Sequence, residues 1–526
     1  MILNHFNNLV KFRIVATFIA AYIAIKTPYW WVVDAGSDDL LFIRQAESFI
    51  KSNWLGNFEN GANLKVPGFA FILVIFFLFH IPFHFGVWLI NLAAGELLRR
   101  KLRGLGIDEK ISTLIYCGLI LNPSIFGAGN ARILRDTIYG SLIILLIVAT
   151  FTIYFGKKNP PKIVNLIILA LLVSLLFLFR EESIFVYGVV GVLLVFVVCF
   201  YKGTSRVFVT AITGFMVIGS CLMSDFAVQK INDKFYGIES SAMLKDGPII
   251  DLMKQMSRIK PIPKNPMQWI SVEQRRIAYE ISPTLKKHSE GIEGDLNFYQ
   301  DSSCVNSKLC DQVAGNYLPW AIFYGVTNDE KLYDSRLFQL ELQKATKELE
   351  VFCNQSSKCT KETQGLGPLI TSFPLTELTS NSLQVIKNVF TLSSVYASIG
   401  DSGGSSGNSI QFRNVLKFQE PPLEFESVQK AQPRSFAFFA IILYLAFLLF
   451  FNSRKMYSST AAQPFVALVM LAAVILAGRV LILAVQQTII GNTLTTNYQS
   501  SADLIFWFIF VILTAITTLF IKKSFK

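Results

Sequence analysis

Apolar stretches of about 20 residues recur along the chain, and this is the length that an α-helix needs to cross the hydrocarbon core of a bilayer. A segment in lipid has no water to satisfy its backbone groups, so it folds as a helix that bonds internally. The composition agrees, because 52% of the residues are hydrophobic and only 16% are charged. The sequence therefore predicts an all-α polytopic membrane protein.

Hydropathy predicts about ten transmembrane helices. They lie near 12–32, 82–98, 112–127, 137–155, 163–180, 183–201, 207–225, 435–452, 462–485 and 503–521. The short loops rich in Lys and Arg fall on one side of the membrane if both termini are cytoplasmic. The segment Phe69–His80 is too short to span, so we expect a juxtamembrane or half-inserted helix there.

Charge divides the chain into three parts. Residues 226–434 carry 23 basic and 23 acidic side chains, and they form a predicted water-soluble, extracytoplasmic, mainly α domain inserted between membrane helices. The net charge of +12 therefore belongs to the membrane parts, 1–225 and 435–526. That distribution is the positive-inside signature of a membrane protein in contact with the lipid bilayer, and it argues against a nucleic-acid partner.

The inserted domain shows helical periodicity in three segments, 271–282, 327–352 and 375–392. In 327–352 the apolar stripe includes Leu337, Leu340 and Leu349. The Gly- and Ser-rich stretch 400–409 is predicted to be a flexible linker, with a mobile lid as the alternative.

Four of the seven cysteines lie in this domain as two C-x5-C pairs, Cys304 with Cys310 and Cys353 with Cys359. In an extracytoplasmic compartment this spacing predicts two local disulfides, although pairing between the two loops stays open. A zinc site built from all four thiolates is the alternative. With only four His in the chain, we expect no histidine metal site.

Two adjacent carboxylates, Asp38 and Asp39, follow the first apolar span and open an amphipathic segment, 38–53. Such a segment lies in the interface plane, which would hold Asp38 at the boundary of lipid and water. A partly desolvated carboxylate there is suited to accept a proton from a hydroxyl. The alternative is a plain helix cap.

Four cationic side chains are expected at the same leaflet of the membrane. They are Lys65 before Pro67-Gly68, Arg135 before Asp136, Arg180 before Glu181, and Arg479 within an apolar span. Cations at membrane depth usually face a cavity, a partner or a substrate, and guanidinium groups suit phosphate oxygens. One alternative is a snorkelling Lys65. The others are an ion pair of Arg135 with Asp136 or a cap of the fourth span by Asp136, and an ion pair of Arg180 with Glu181 or Glu182. Arg479 has no acidic neighbour in sequence, so it is expected to be unpaired.

The order of these features resembles the N-terminal module of the GT-C glycosyltransferases, such as the protein O-mannosyltransferases and the lipid A aminoarabinose transferases. The resemblance covers roughly residues 1–225. It implies that Asp38, with Asp39 next to it, is the base or acceptor-orienting group. It also implies that Lys65, before the Pro-Gly pair, contacts the phosphate of a lipid carrier.

The function that this resemblance implies is transfer of a sugar from a polyprenyl-phosphate carrier to a glycan, lipid or protein acceptor. Arg135, Arg180 and Arg479 would help to hold the phosphate, with Asp136 and Glu181 supporting them. The site would lie on the extracytoplasmic face, in a bacterial inner membrane. No cofactor is implied, although a divalent cation between Asp38 and Asp39 stays open.

Two other functions remain open on the sequence. A polysaccharide polymerase or ligase would share the carrier but is typified by Arg and His clusters in its large loop, where this chain has His288 alone. A transporter or flippase of lipid-linked sugars would be expected to show internal repeats and paired charges near the midplane. Neither feature is evident here.

Overall fold

A computed structural model describes residues 2–27, 38–126, 133–180, 183–263, 265–307, 309–328, 330–361, 375–393, 463–490 and 496–524. All of the longer regular elements in these ranges are helices, and the β-type pairing found there is one isolated bridge between Ile259 and Cys359. The predicted all-α class is therefore confirmed for the described part of the chain.

The helices are numbered in chain order. Those of the N-terminal module are α1 Ile2–Lys26, α2 Asp38–Ile50, α3 Gly68–Leu78, α4 Phe83–Gly104, α5 Glu109–Ile120, α6 Pro123–Phe126, α7 Arg135–Tyr154, α8 Ile163–Phe177, α9 Ser183–Phe200 and α10 Arg206–Tyr236. Those that follow are α11 Pro248–Ser257, α12 Val272–Ile281, α13 Pro283–Lys287, α14 Ser289–Phe298, α15 Gln300–Ser307, α16 Leu318–Thr327, α17 Ser335–Gln355, α18 Leu375–Phe390, α19 Gln463–Ile490 and α20 Thr496–Ser524.

Among the described residues, α7, α10, α19 and α20 are long and apolar enough to cross a membrane, which identifies an integral membrane protein. The pair α3 and α4 makes a fifth span if the two are counted together, and α8 and α9 are shorter apolar helices. The expected number of ten is therefore not confirmed, and the span predicted at 435–452 lies outside the described residues.

Helix α7 forms the centre of the bundle and is buried over most of its length. It packs against α4 and α20, and α20 also packs against α19. Buried polar side chains join neighbouring helices: Asn91 Nδ2 donates to Ser141 Oγ at 2.8 Å, and Trp507 Nε1 donates to the Gly118 carbonyl at 2.8 Å. Hydrogen bonds between helices stabilise their packing in lipid. The bond from Asn91 to Ser141 therefore helps to hold α7 against α4.

Helix α3 has eleven residues and meets α4 at an angle of 101°. The chain turns at His80, whose φ is 53°, and Pro82 directly precedes α4. Pro82 has no amide hydrogen to donate to the carbonyl of Leu78, four residues earlier, so α3 cannot continue straight through it. The apolar segment Phe69–His80 is thus a short helix set across the next one.

Helix α10 runs from Arg206 to Tyr236 without a break, so it crosses the domain boundary expected between residues 225 and 226. Just beyond it, Lys245 Nζ pairs with Asp225 at 2.5 Å. Residue 226, where the inserted domain is predicted to begin, lies inside this continuous helix. The ion pair joins the helix to the segment that follows it.

The inserted domain is built from α11 to α17. Helix α12 begins with a capping box of Ser271 and Gln274 and ends before Pro283, close to the predicted bounds. The helix predicted over 327–352 begins only at Ser335, where Asp334 caps it, and Leu337 and Leu340 are exposed. The stripe that packs inward recurs every three or four residues and consists of Phe338, Leu342, Ala345, Leu349 and Cys353.

Both predicted local disulfides are present, Cys304–Cys310 and Cys353–Cys359. The second closes the end of α17. Arg258, at the end of α11, donates to the Thr360 carbonyl at 3.1 Å and to Asn354 Oδ1 at 2.9 Å. The disulfide and the arginine together hold α11 against the end of α17.

Helix α18 belongs in sequence to the inserted domain, yet it packs on α19 and α20. Val385 and Val389 are buried against Leu483 and Phe506, and Asn381 Nδ2 donates to Thr488 Oγ1 at 2.9 Å. An amphipathic helix with its apolar face on two membrane helices is a juxtamembrane element. The linker predicted at 400–409 lies outside the described residues.

Candidate functional site

Asp38 lies in the first turn of α2, and its carboxylate faces two cations. Lys65 Nζ lies 3.2 Å from Asp38 Oδ2, and Arg135 Nη2 lies 3.9 Å from the same oxygen. The guanidinium of Arg135 also donates to the Phe179 carbonyl at 3.2 Å. Lys65 and Arg135 therefore both meet Asp38 at the start of the amphipathic helix α2.

The sequence between Lys65 and α3 explains why the lysine reaches this point. Pro67 directly precedes α3, and the Gly68 amide donates to the Leu178 carbonyl at 2.8 Å. A Cβ on Gly68 would lie 2.4 Å from that carbonyl oxygen, so the backbones approach this closely only with glycine. The Pro-Gly pair thus holds the segment after Lys65 against the end of α8.

A second carboxylate, Asp136, lies one residue after Arg135 and holds two further guanidinium groups. Arg180 Nη1 donates to Asp136 Oδ1, and Arg479 Nη2 lies 3.1 Å from the same atom. Arg479 was expected to be unpaired, and that expectation is wrong. The partner comes from α7, which is 343 positions away in sequence, and sequence neighbours could not reveal it.

Two uncharged side chains complete this buried cluster. The guanidinium carbons of Arg180 and Arg479 lie 5.9 Å and 5.7 Å from the ring centroid of Tyr139, one turn along α7 from Asp136. Arg479 Nε donates to Ser501 Oγ at 2.9 Å. Cation–π contacts and a carboxylate shared by two arginines compensate part of the cost of burying these charges.

The two carboxylates differ in their access to solvent. The side chains of Asp38 and Lys65 are 20% and 12% exposed, whereas those of Asp136, Arg180 and Arg479 are at most 2% exposed. The site is thus open at Asp38 and Lys65 and closed at Arg479. Chemically, the open end offers a proton acceptor next to cations, and the closed end offers fixed positive charge.

The structure brings together Asp38, Lys65, Arg135, Asp136, Arg180 and Arg479 among the residues that the sequence singled out. The side chains of Asp39 and Glu181 lie outside the described residues. Among the described contacts, Arg135 pairs with Asp38, and Asp136 pairs with Arg180 and Arg479. The described residues contain no group of three or more His, Cys, Asp or Glu that would suit a metal ion.

Three nearby aromatic residues were not predicted as part of the site. Trp320, from α16 of the inserted domain, has its ring centroid 5.7 Å from Lys65 Nζ, and Phe42 of α2 lies 5.5 Å from the Arg135 guanidinium. Tyr139 follows Asp136 by three residues, a spacing that places both on one helix face and that the sequence does show. No sequence signal links Trp320 to Lys65.

Comparisons with known proteins give limited guidance. No family model matches the chain, and a search of curated proteins finds no match. Among solved structures, the chain is similar to ArnT from Cupriavidus metallidurans, in a crystal structure with bound undecaprenyl phosphate. The match has 10% sequence identity, covers 90% of this chain and 77% of that chain, and gives a TM-score of 0.31. A superposition this loose carries no argument about the fold or function of this chain.

Proposed function

We propose that this chain is a membrane glycosyltransferase of the GT-C type. It moves a sugar from a polyprenyl-phosphate carrier to an acceptor hydroxyl at the extracytoplasmic face of a bacterial inner membrane. The observation that supports this most is the contact of Asp38 with Lys65 and Arg135 at the partly open end of a buried cationic cluster. This reaction needs a base and phosphate-binding cations side by side.

In the proposed reaction the acceptor oxygen attacks the anomeric carbon of the carrier-linked sugar. The bond from that carbon to the phosphate oxygen breaks, and its electron pair leaves with the carrier phosphate. The hydroxyl proton passes to Asp38, acting as general base. Lys65 and Arg135 stabilise the charge that develops on the phosphate oxygens. A single displacement of this kind inverts the anomeric centre.

The buried arginines have a different role in this proposal. Arg180 and Arg479 share Asp136, so they hold a fixed positive potential behind Lys65 and Arg135. Charges that are already oriented cost no reorganisation when the leaving group forms. This assigns the direct phosphate contacts to Lys65 and Arg135, and positioning to Arg180 and Arg479.

The test is turnover in sealed proteoliposomes that contain the full chain, a panel of polyprenyl-phosphate-linked and polyprenyl-diphosphate-linked sugars, and saccharide, lipid and peptide acceptors. Transfer from at least one polyprenyl-phosphate-linked donor yields free polyprenyl phosphate together with glycosylated acceptor, and Asp38→Asn lowers this turnover by about 10²–10⁴-fold. Movement of intact donor across the bilayer, unaffected by Asp38→Asn, would identify a flippase instead. Release from diphosphate-linked donors only would favour the polymerase or ligase reading.

A further inference from the structure

A polar cavity of about 390 Å³ lies against α2, the helix whose first turn carries Asp38. One wall is the face of α2 that carries Leu41, Arg44 and Ser48, and the other is the loop that follows α2. The full lining is Leu41, Arg44, Glu47, Ser48, Lys51, Asn53, Leu55, Gly56, Asn57, Asn60 and Ala62. The volume lies within the range of about 300–1,000 Å³ that small-molecule sites occupy.

The loop that forms the second wall has an unusual backbone that its surroundings hold in place. Ser52, Trp54 and Gly56 all have positive φ, at 58°, 38° and 103°. Trp54 Nε1 donates to Asn232 Oδ1 at 2.7 Å, and Tyr236 Oη donates to the Gly56 carbonyl at 2.8 Å. Such conformations cost free energy for non-glycine residues and cluster where a loop must hold a particular shape.

The floor of the cavity is equally fixed. Gln45 is fully buried and donates to the Ala62 carbonyl at 2.7 Å. A Cβ on Gly56 would lie 2.5 Å from Ser48 Oγ, so loop and helix are in close contact at that point. The cavity is therefore a preformed feature of α2 and its loop.

Its position connects it to the proposed reaction. Leu41 follows Asp38 by three residues, so the two are neighbours on the surface of α2, about 4.5 Å apart along the axis. Lys65, just before α3, and Arg135, at the start of α7, both contact Asp38. An acceptor in the cavity and a carrier phosphate at the cations would thus approach Asp38 from different elements.

The lining favours a hydroxylated ligand. Asn53, Asn57 and Asn60 supply amide donors and acceptors, and Ser48 supplies a hydroxyl. The charged side chains have partners within the wall. Lys51 forms an ion pair with Glu47 at 2.8 Å, and Arg44 donates a hydrogen bond to the uncharged Asn60 Oδ1 at 3.3 Å. Side chains of this kind match the alternating donors and acceptors of sugar hydroxyls better than an apolar tail or a multiply charged group.

We infer that this cavity, between α2 and residues 51–62, binds the acceptor of the reaction and that the acceptor is a saccharide. The inference rests on the proposed function and adds to it the class of acceptor and the residues that select it. The acceptor hydroxyl would point along α2 toward Asp38.

Two variants test the cavity without touching the charged cluster. Ser48→Leu fills the cavity from the helix side, and Asn60→Leu alters its exposed rim. Ser289→Leu is the matched control, because Ser289 is also half-buried and lies in α14, outside the cavity. All are prepared as the full chain in nanodiscs, and their melting temperatures establish that they fold.

Saturation-transfer NMR measures binding of four probes at millimolar concentration: methyl α-glucoside, methyl α-mannoside, methyl β-galactoside and N-acetylglucosamine. We expect at least one probe to bind wild type and the Ser289→Leu control. Binding should weaken about tenfold or more, a difference of about 1.4 kcal/mol, in Ser48→Leu and Asn60→Leu. Absence of binding to wild type, or unchanged binding in both cavity variants, overturns the inference.

A second measurement separates this inference from the proposed function. Stabilisation by polyprenyl phosphate is recorded by melting for the same proteins. We expect the cavity variants to keep the lipid-dependent shift of wild type. Loss of that shift in the cavity variants would mean that the cavity holds the carrier, and the inference fails. A further outcome is that wild type binds a saccharide that the cavity variants bind weakly, and yet gains no melting temperature from polyprenyl phosphate. In that case the saccharide site in the cavity is supported and the proposed carrier-dependent function fails.

Discussion

Asp38 and Asp136 are both carboxylates bound by cations, yet they lie in different surroundings. Asp38 is partly exposed and contacts Lys65 and Arg135 at 3.2 Å and 3.9 Å. Asp136 is buried and is shared by Arg180 and Arg479, with Tyr139 beneath both guanidinium groups. One carboxylate is accessible to an incoming group, and the other is enclosed by its partners.

The difference has a physical consequence. A looser, hydrated ion pair can exchange its partner for a substrate at small cost, because water compensates the charges as they separate. A buried pair cannot do so, since removing one member leaves an uncompensated charge in a medium of low dielectric constant. We therefore assign chemistry to the Asp38 pair and architecture to the Asp136 cluster.

The largest expected effect is on turnover. Asp38→Asn keeps the shape of the side chain but removes the base, so the release of free carrier should fall by about 10²–10⁴-fold, the usual contribution of a general base. The melting temperature should change little, because the Asp38 contacts are partly hydrated. The control is Asp251→Asn, an exposed carboxylate that pairs only with Lys254. Wild-type turnover in Asp38→Asn would reduce Asp38 to a helix-capping residue.

The next effect concerns stability at the other carboxylate. Asp136→Asn leaves two buried guanidinium groups without their shared anion, and we expect a loss of about 3–5 kcal/mol in the free energy of unfolding. Denaturant or thermal unfolding in nanodiscs measures it. A loss below that of an exposed pair such as Lys254 with Asp251 would mean that the buried cluster is not structural.

Arg479→Ala should have a smaller effect in the same direction. Asp136 keeps Arg180, so the change removes one charged hydrogen bond and the bond to Ser501, a loss of roughly 1.5–3 kcal/mol. An unpaired arginine would have given unchanged or higher stability on truncation. The matched control is Arg276→Ala, an exposed arginine that also bonds two carboxylates, Glu273 and Glu280, and whose truncation should cost less stability than Arg479→Ala.

A third carboxylate, Asp295 in α14, extends the comparison to a site without a cation. Within the described residues its Oδ2 atom is buried and has no hydrogen-bond partner, and burial raises the pKa of the carboxyl to about 6. The folded protein then binds a proton that the unfolded chain, with a pKa of about 3.9, releases. Stability from this group is therefore present below about pH 4 and is lost as the pH rises through 6.

The measurement is the melting temperature of wild type and Asp295→Asn between pH 4 and pH 8. We expect the variant to be the more stable protein at pH 8 and the difference to shrink as the pH falls below 6. A difference that is independent of pH would show that Asp295 remains ionised in the folded protein throughout this range.

The sequence was sufficient for the class of protein and for the identity of the charged residues. Hydropathy predicted membrane helices, and cations at membrane depth stood out because they are costly there. The C-x5-C spacing predicted both disulfides correctly. These features depend on short stretches of sequence, which is why they can be read without a structure.

Contacts between distant elements could not be read in this way. Asp136 meets Arg479 only because α7 packs against α19, and Lys65 meets Trp320 only because α16 lies against the segment that precedes α3. The start of α17 depended on the cap at Asp334 rather than on the leucine stripe. The cavity beside α2 depends on backbone angles at Ser52, Trp54 and Gly56, which side-chain patterns do not encode.

The central claim is that a carrier phosphate binds at Lys65 and Arg135 beside Asp38, and lipid-dependent melting tests it most directly. Polyprenyl phosphate is titrated into nanodiscs that hold wild type, Lys65→Ala or Lys230→Ala. Lys230 is an exposed membrane-proximal lysine that pairs with Glu239 and serves as the matched loss of charge.

We predict that the lipid stabilises wild type and Lys230→Ala equally. The affinity of Lys65→Ala should fall by about 10- to 100-fold, as expected when a charge-assisted contact to phosphate is lost. Equal stabilisation of all three proteins, or none in wild type, would contradict the claim.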